Sequence, residues 1–72
     1  MVAEQVRAEL PGKVWRVSVG VGDMVAEGDT VVILESMKME IPVQAEFAGT
    51  VESLRVAEGD DVAPGDLLVV LA

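Results

Sequence analysis

Gly22-Asp23-Met24-Val25-Ala26-Glu27-Gly28-Asp29 is answered 37 residues later by Gly59-Asp60-Asp61-Val62-Ala63-Pro64-Gly65-Asp66. Each stretch holds two Gly-Asp pairs around a short apolar core. Working outward, the same shift lays residues 6–35 over residues 43–72 without a gap. Nearly half of the aligned positions are identical, among them Gly12/Gly49, Val14/Val51, Val32/Val69 and Leu34/Leu71. The chain is therefore two copies of one unit. A Gly can take positive φ, and an Asp after it can bond nearby backbone, so each Gly-Asp pair marks a turn. Ala63-Pro64-Gly65-Asp66 has the Pro and Gly positions of a type II turn.

Between the turns lie short, Val-rich segments, a composition that favours strands. Four are expected in the first unit, at Val6–Ala8, Val14–Val19, Met24–Ala26 and Val31–Glu35. Four follow in the second, at Val43–Ala45, Val51–Val56, Asp61–Ala63 and Leu67–Leu71. No segment sustains a 3.6-residue period, so the fold class is all-β. The in–out alternation slips once per unit, because Val14 is out of phase with Val17 and Val19, and Val51 with Leu54 and Val56. A bulge at Trp15-Arg16 and another at Glu52-Ser53 accounts for this. Trp15 falls opposite Glu52 in the repeat, so it is expected to be at least partly exposed or packed on the rim. Two equivalent four-stranded units imply pseudo-twofold symmetry, with a flattened barrel or sandwich of two sheets burying both apolar faces. An up-and-down barrel is the alternative closure.

Composition narrows the function. The 72 residues make one small domain, spanning 1–72, whose core is aliphatic, since Trp15 and Phe47 are the sole aromatics. With no Cys and no His, the common zinc ligands, the thiol nucleophile and the commonest general base are missing. Neither catalytic nor metal-binding residues are assigned, and an autonomous enzyme is not expected. A net charge of −8 disfavours nucleic acid and anionic membranes as partners. No apolar run reaches the roughly 18–20 residues of a membrane span, and Met1 to Leu10 lacks the apolar stretch of a signal peptide. The expectation is a cytoplasmic protein, monomeric by itself.

The seam between the units, Glu35-Ser36-Met37-Lys38-Met39-Glu40, carries the chemistry. By the pseudo-symmetry its mate is the pair of chain termini, so residues 36–40 are expected to project as a hairpin at the opposite end, with Lys38 at its tip. The chain has two lysines, Lys13 and Lys38. Lys38 stands between two large apolar side chains, Met37 and Met39, which either pack in the core or form an adaptable contact surface. The seam lacks the Gly, Asn or Asp that tight hairpins favour.

Glu35-Ser36-Met37-Lys38-Met39 resembles the Glu-Ala/Ser-Met-Lys-Met signature of the biotinyl domains of biotin-dependent carboxylases. Leu10-Pro11-Gly12-Lys13-Val14 and Glu46-Phe47-Ala48-Gly49-Thr50-Val51 are similar to the segments that flank it there. The related lipoyl domains carry Asp-Lys-Ala or Asp-Lys-Val at this place. The resemblance implies a barrel-sandwich hybrid of two four-stranded antiparallel sheets. It also implies a biotin carboxyl carrier, in which Lys38 accepts biotin from a biotin protein ligase. The biotin arm then moves between biotin carboxylase and carboxyltransferase components. Met37 and Met39 match the flanking residues that assist recognition and transfer, and Glu35 matches a position used in ligase recognition. Lys13, on a strand shoulder, is expected to stay unmodified. Glu9 departs from a frequent Pro, and the gapless repeat has no room for the protruding thumb of some members. Without a Pro/Ala-rich linker or catalytic domain, a free-standing carrier is expected. A lipoyl carrier and an unmodified structural barrel are the rival readings.

Overall fold

The computed structural model describes residues 4–72; residues 1–3, part of the N-terminal stretch read above, lie outside them. Eight strands follow one another: β1 (Glu4–Arg7), β2 (Gly12–Val17), β3 (Met24–Val25), β4 (Thr30–Ser36), β5 (Met39–Gln44), β6 (Gly49–Leu54), β7 (Asp61–Val62) and β8 (Leu67–Leu71). They build two four-stranded antiparallel sheets, ordered β1-β8-β6-β3 and β5-β4-β2-β7. Moving every strand on by 37 residues turns the first order into the second, which is the pseudo-twofold symmetry. Each sheet takes two strands from either half, so the halves are interleaved and neither half forms a sheet alone.

The four Gly-Asp turns are built alike. Gly22, Gly28, Gly59 and Gly65 have φ between 88° and 93°. The Asp after each Gly closes the turn twice. Its amide donates to the carbonyl three residues back, as from Asp66 to Ala63 at 3.0 Å. Its carboxylate accepts the amide of that same residue, at 2.8 to 2.9 Å in all four turns. Gly65 at the third position after Pro64 completes the type II geometry expected there.

Register shifts fall between Val14 and Arg16 and between Val51 and Ser53, the two bulges read from the phase slip. Strand ends differ from the sequence reading. β2 and β6 stop at Val17 and Leu54, and Val19 and Val56 pack against the core from outside the sheets. Beyond a bulge the strand twists out of its ladder while its apolar side chains keep facing inward. The core is purely aliphatic, with Leu34, Leu68, Leu71, Val14, Val31, Val32, Val51 and Val69 fully buried.

Gly12 and Gly49, symmetry mates, sit where backbone from the end of their own half passes close by. A Cβ on Gly12 would stand 2.7 Å from the Glu35 carbonyl oxygen, and one on Gly49 would stand 2.8 Å from that of Ala72. Both contacts are with backbone, which cannot swing aside. Gly12→Ala and Gly49→Ala are each expected to cost about 1–3 kcal/mol, read as a lower denaturation midpoint in urea. An unchanged midpoint in either variant would show that this backbone approach is loose.

Candidate functional site: the Lys38 hairpin

β4 and β5 form a hairpin whose pairs run Leu34/Ile41, Glu35/Glu40 and Ser36/Met39. The loop is thus only Met37 and Lys38, shorter than the 36–40 span read from sequence. A two-residue hairpin loop of type I′ has positive φ at both central residues, matching the twist of its strands. Met37 (53°) and Lys38 (62°) adopt it despite carrying side chains. The absence of Gly or Asn therefore did not prevent a tight turn; strong pairing on either side imposes it. Left-handed backbone at a residue with a Cβ costs about 1–2 kcal/mol. Met37→Asn combined with Lys38→Gly is expected to raise stability by about 1–3 kcal/mol, seen as a higher melting temperature, while removing the amine. A variant no more stable than the parent would mean that the turn is unstrained.

The hairpin directs its side chains into solvent. Met37 is 92% and Met39 65% exposed, and Lys38 is exposed between them. Core packing of the two methionines, one of the alternatives left open by sequence, is excluded by these exposures. Glu4, the first described residue, and the C-terminal end of β8 lie toward the end opposite the hairpin. The Glu4 carboxylate accepts the amides of Glu46 and Phe47 at 3.0 and 3.1 Å, and Glu4 pairs with Leu71. Glu46 lies eight residues beyond Lys38, roughly 26 Å at strand rise, along a molecule 36 Å in its longest dimension. The bracing role of Glu4 carried no sequence signal, since Ile41 is its mate in the repeat.

Glu35 is exposed on β4, one residue before the base of the hairpin. Its cross-strand partners are Glu40 on β5 and Lys13 on β2, and Lys13 in turn pairs with Asp61 on β7. Register partners project from the same face of a sheet, so Glu40, Glu35, Lys13 and Asp61 form one exposed row beside the hairpin. Lys13 stands within that row, flanked by carboxylates on both sides, whereas Lys38 stands at the crest. Trp15 is 43% exposed, as its pairing with Glu52 implied.

A cleft lies away from Lys38. It is an open groove of about 500 Å³ where edge strands β1 and β5 part, lined by Val6, Ala8, Leu34, Ile41, Val43 and Ala45 among others. An amine at a convex tip suits covalent acylation by an enzyme that encloses it. Among the described residues no cluster of acidic groups is arranged to hold a metal ion, and no helix is long and apolar enough to cross a membrane.

Comparison with known proteins agrees with this geometry. A biotinylated protein TB7.3 homolog of Mycolicibacterium smegmatis is 62% identical over 42 residues, which take in 58% of this chain and 59% of that protein. A biotin/lipoyl attachment protein of Bacillus subtilis is 50% identical over 38 residues, 53% of this chain and 52% of that one. The chain thus spans little more than half the length of the curated relatives it matches. The crystal structure of Kluyveromyces lactis urea carboxylase contains a region that superposes on all of this chain with a TM-score of 0.93 and 39% identity, covering 6% of the carboxylase. Residues 1–71 match the profile of the biotin-requiring enzymes, and the chain belongs to that family of biotin and lipoyl attachment domains.

Proposed function

We propose that residues 1–72 form a single carrier domain with biotin attached covalently to Lys38, serving a biotin-dependent carboxylase while catalysing no step itself. The observation that carries this reading is the amine of Lys38 at the apex of a two-residue turn, between two methionines that the fold leaves in water. The residues fit the group: a solvent-facing primary amine is the one nucleophile that attachment requires. In the attachment step the Lys38 Nζ attacks the acyl carbon of biotinyl adenylate held by a biotin protein ligase. An amide N–C bond forms, the C–O bond to the phosphate breaks, AMP leaves, and the amine proton passes to the ligase.

When bound, biotin supplies carboxyl transport through its ureido ring. The chain's own contribution is to hold the attachment point on a rigid scaffold. Tethering gives the arm a high effective concentration at each docked site. Met37 and Met39 offer soft, adaptable contact on either side of Lys38, and Glu35 lies where a ligase approaching the tip meets the sheet. The partners in this reading are the ligase, a biotin carboxylase component and a carboxyltransferase component. The compartment is the cytoplasm, and the isolated carrier is monomeric.

Expression beside a biotin protein ligase, and separately beside a lipoyl ligase, tests the choice of cofactor by intact mass. One biotinyl group per chain is expected from the first and none from the second. Lipoyl addition without biotinyl addition would overturn the biotin reading, and an unmodified chain in both would favour a structural barrel.

A further inference from the structure

Because the chain is duplicated, each sheet is an internal control for the other. The two outer faces share strand order, register and bulge, so the scaffold's demands on them are alike. Their residues are not. On the β5-β4-β2-β7 face, Ile33 pairs with Pro42 on one side and Arg16 on the other. The bulge sets Trp15 beside Arg16 opposite the same Ile33. Ile33 is half-buried, while Pro42, Trp15 and Arg16 are exposed. This makes a short stripe, Pro42–Ile33–Trp15, with Arg16 at its edge. Ile33 is three residues from Ser36, so the stripe lies roughly 10 Å from the hairpin base at strand rise. Between stripe and hairpin runs the row Glu40, Glu35, Lys13 and Asp61, three carboxylates to one amine. At the equivalent places the other sheet has Gln5 for Pro42, Val70 for Ile33, Glu52 for Trp15, Ser53 for Arg16 and Thr50 for Lys13. The scaffold accepts polar residues at the positions of Trp15 and Pro42, so the fold does not require the apolar ones.

We infer that the outer face of the β5-β4-β2-β7 sheet is a docking surface for the enzyme that acylates Lys38, and that this enzyme presents an apolar ridge to Pro42, Ile33 and Trp15 and basic groups to Glu35, Glu40 and Asp61. This rests on the proposed attachment at Lys38. Reach selects the acylating enzyme over later partners. Before modification the nucleophile extends only one lysine side chain beyond the turn, so the enzyme that captures it must come down onto the adjoining sheet. After modification the lengthened arm lets other active sites engage it from further away. Continuity of the stripe and the carboxylate row with the hairpin, and a net charge of −8, make an apolar ridge with basic flanks the complementary surface.

The test transplants the control face. Trp15→Glu with Pro42→Gln installs the residues already tolerated at the mate positions, so the variant is expected to fold, checked by circular dichroism and melting temperature. Its biotinylation by a biotin protein ligase with biotin and MgATP is expected to fall at least tenfold in kcat/KM, carried by KM, with kcat little changed. Chemical acylation of Lys38 by an N-hydroxysuccinimide ester of biotin is expected to be unaltered, since no docking is involved. Glu35→Gln with Glu40→Gln is expected to raise KM and flatten its dependence on salt. Gln5→Glu with Ser53→Asp on the opposite sheet is expected to leave kcat/KM as in the parent. A folded Trp15→Glu, Pro42→Gln variant biotinylated as fast as the parent would overturn the docking face. A parent that the ligase does not modify would overturn the attachment reading instead.

Discussion

Lys38→Arg is expected to eliminate covalent biotin from the protein. Arginine keeps the length and charge, yet its guanidinium stays protonated at any working pH and offers no nucleophilic amine. The loss is expected to exceed about a hundredfold in rate, because removing the reacting atom leaves no partial substitute. The remaining lysine is not expected to take over. Lys13 is held in β2 between Glu35 and Asp61, on a sheet face that an active-site cleft cannot surround. Lys13→Arg is accordingly expected to retain one biotinyl group per chain. Intact mass and streptavidin binding of both variants, purified after expression with a biotin protein ligase, decide the matter. A biotinylated Lys38→Arg protein would place the attachment elsewhere and remove the function assigned to the hairpin.

Leu34→Ala is expected to destabilise the domain by about 2–5 kcal/mol through lost burial and the cavity left behind. In a chain of this size each kcal/mol shifts the melting temperature by about 4–8 °C, so a fall of about 8 °C or more follows. Leu34 is 1% exposed on the strand that leads into the hairpin, and its mate Leu71 is likewise 1% exposed. Leu71→Ala is therefore expected to cost a similar amount, which makes the pair a quantitative check on the pseudo-symmetry. Urea denaturation followed by circular dichroism measures both. A loss below about 1 kcal/mol for Leu34→Ala would show that the core relaxes around the gap.

Much of the site was legible because its signals are local. The two bulges followed from a phase slip repeated at Trp15-Arg16 and Glu52-Ser53, and the turns from Gly beside Asp. The tip position of Lys38 followed from its place at the centre of a gapless repeat. The geometry of that tip was not legible. Met and Lys are poor residues for left-handed backbone, and only the pairing of Ser36 with Met39 makes them adopt it. The row linking Glu35 to Lys13 and Asp61 was hidden too, because it joins residues of three strands from both halves of the chain.

By itself the sequence determined that the chain is a duplicated β unit, where it turns, which side chains face inward, and which lysine stands at the seam. Those properties depend on neighbours within a few residues, or on comparing one half with the other. The tertiary structure alone decided which strands share a sheet. Alternation specifies an apolar face but not the partner that covers it, and here burial of both faces is achieved by interleaving the halves, so that β2 lies beside β7 and β3 beside β6. That interleaving sets the row of charges beside Lys38 and aims the bulge that turns Trp15 outward.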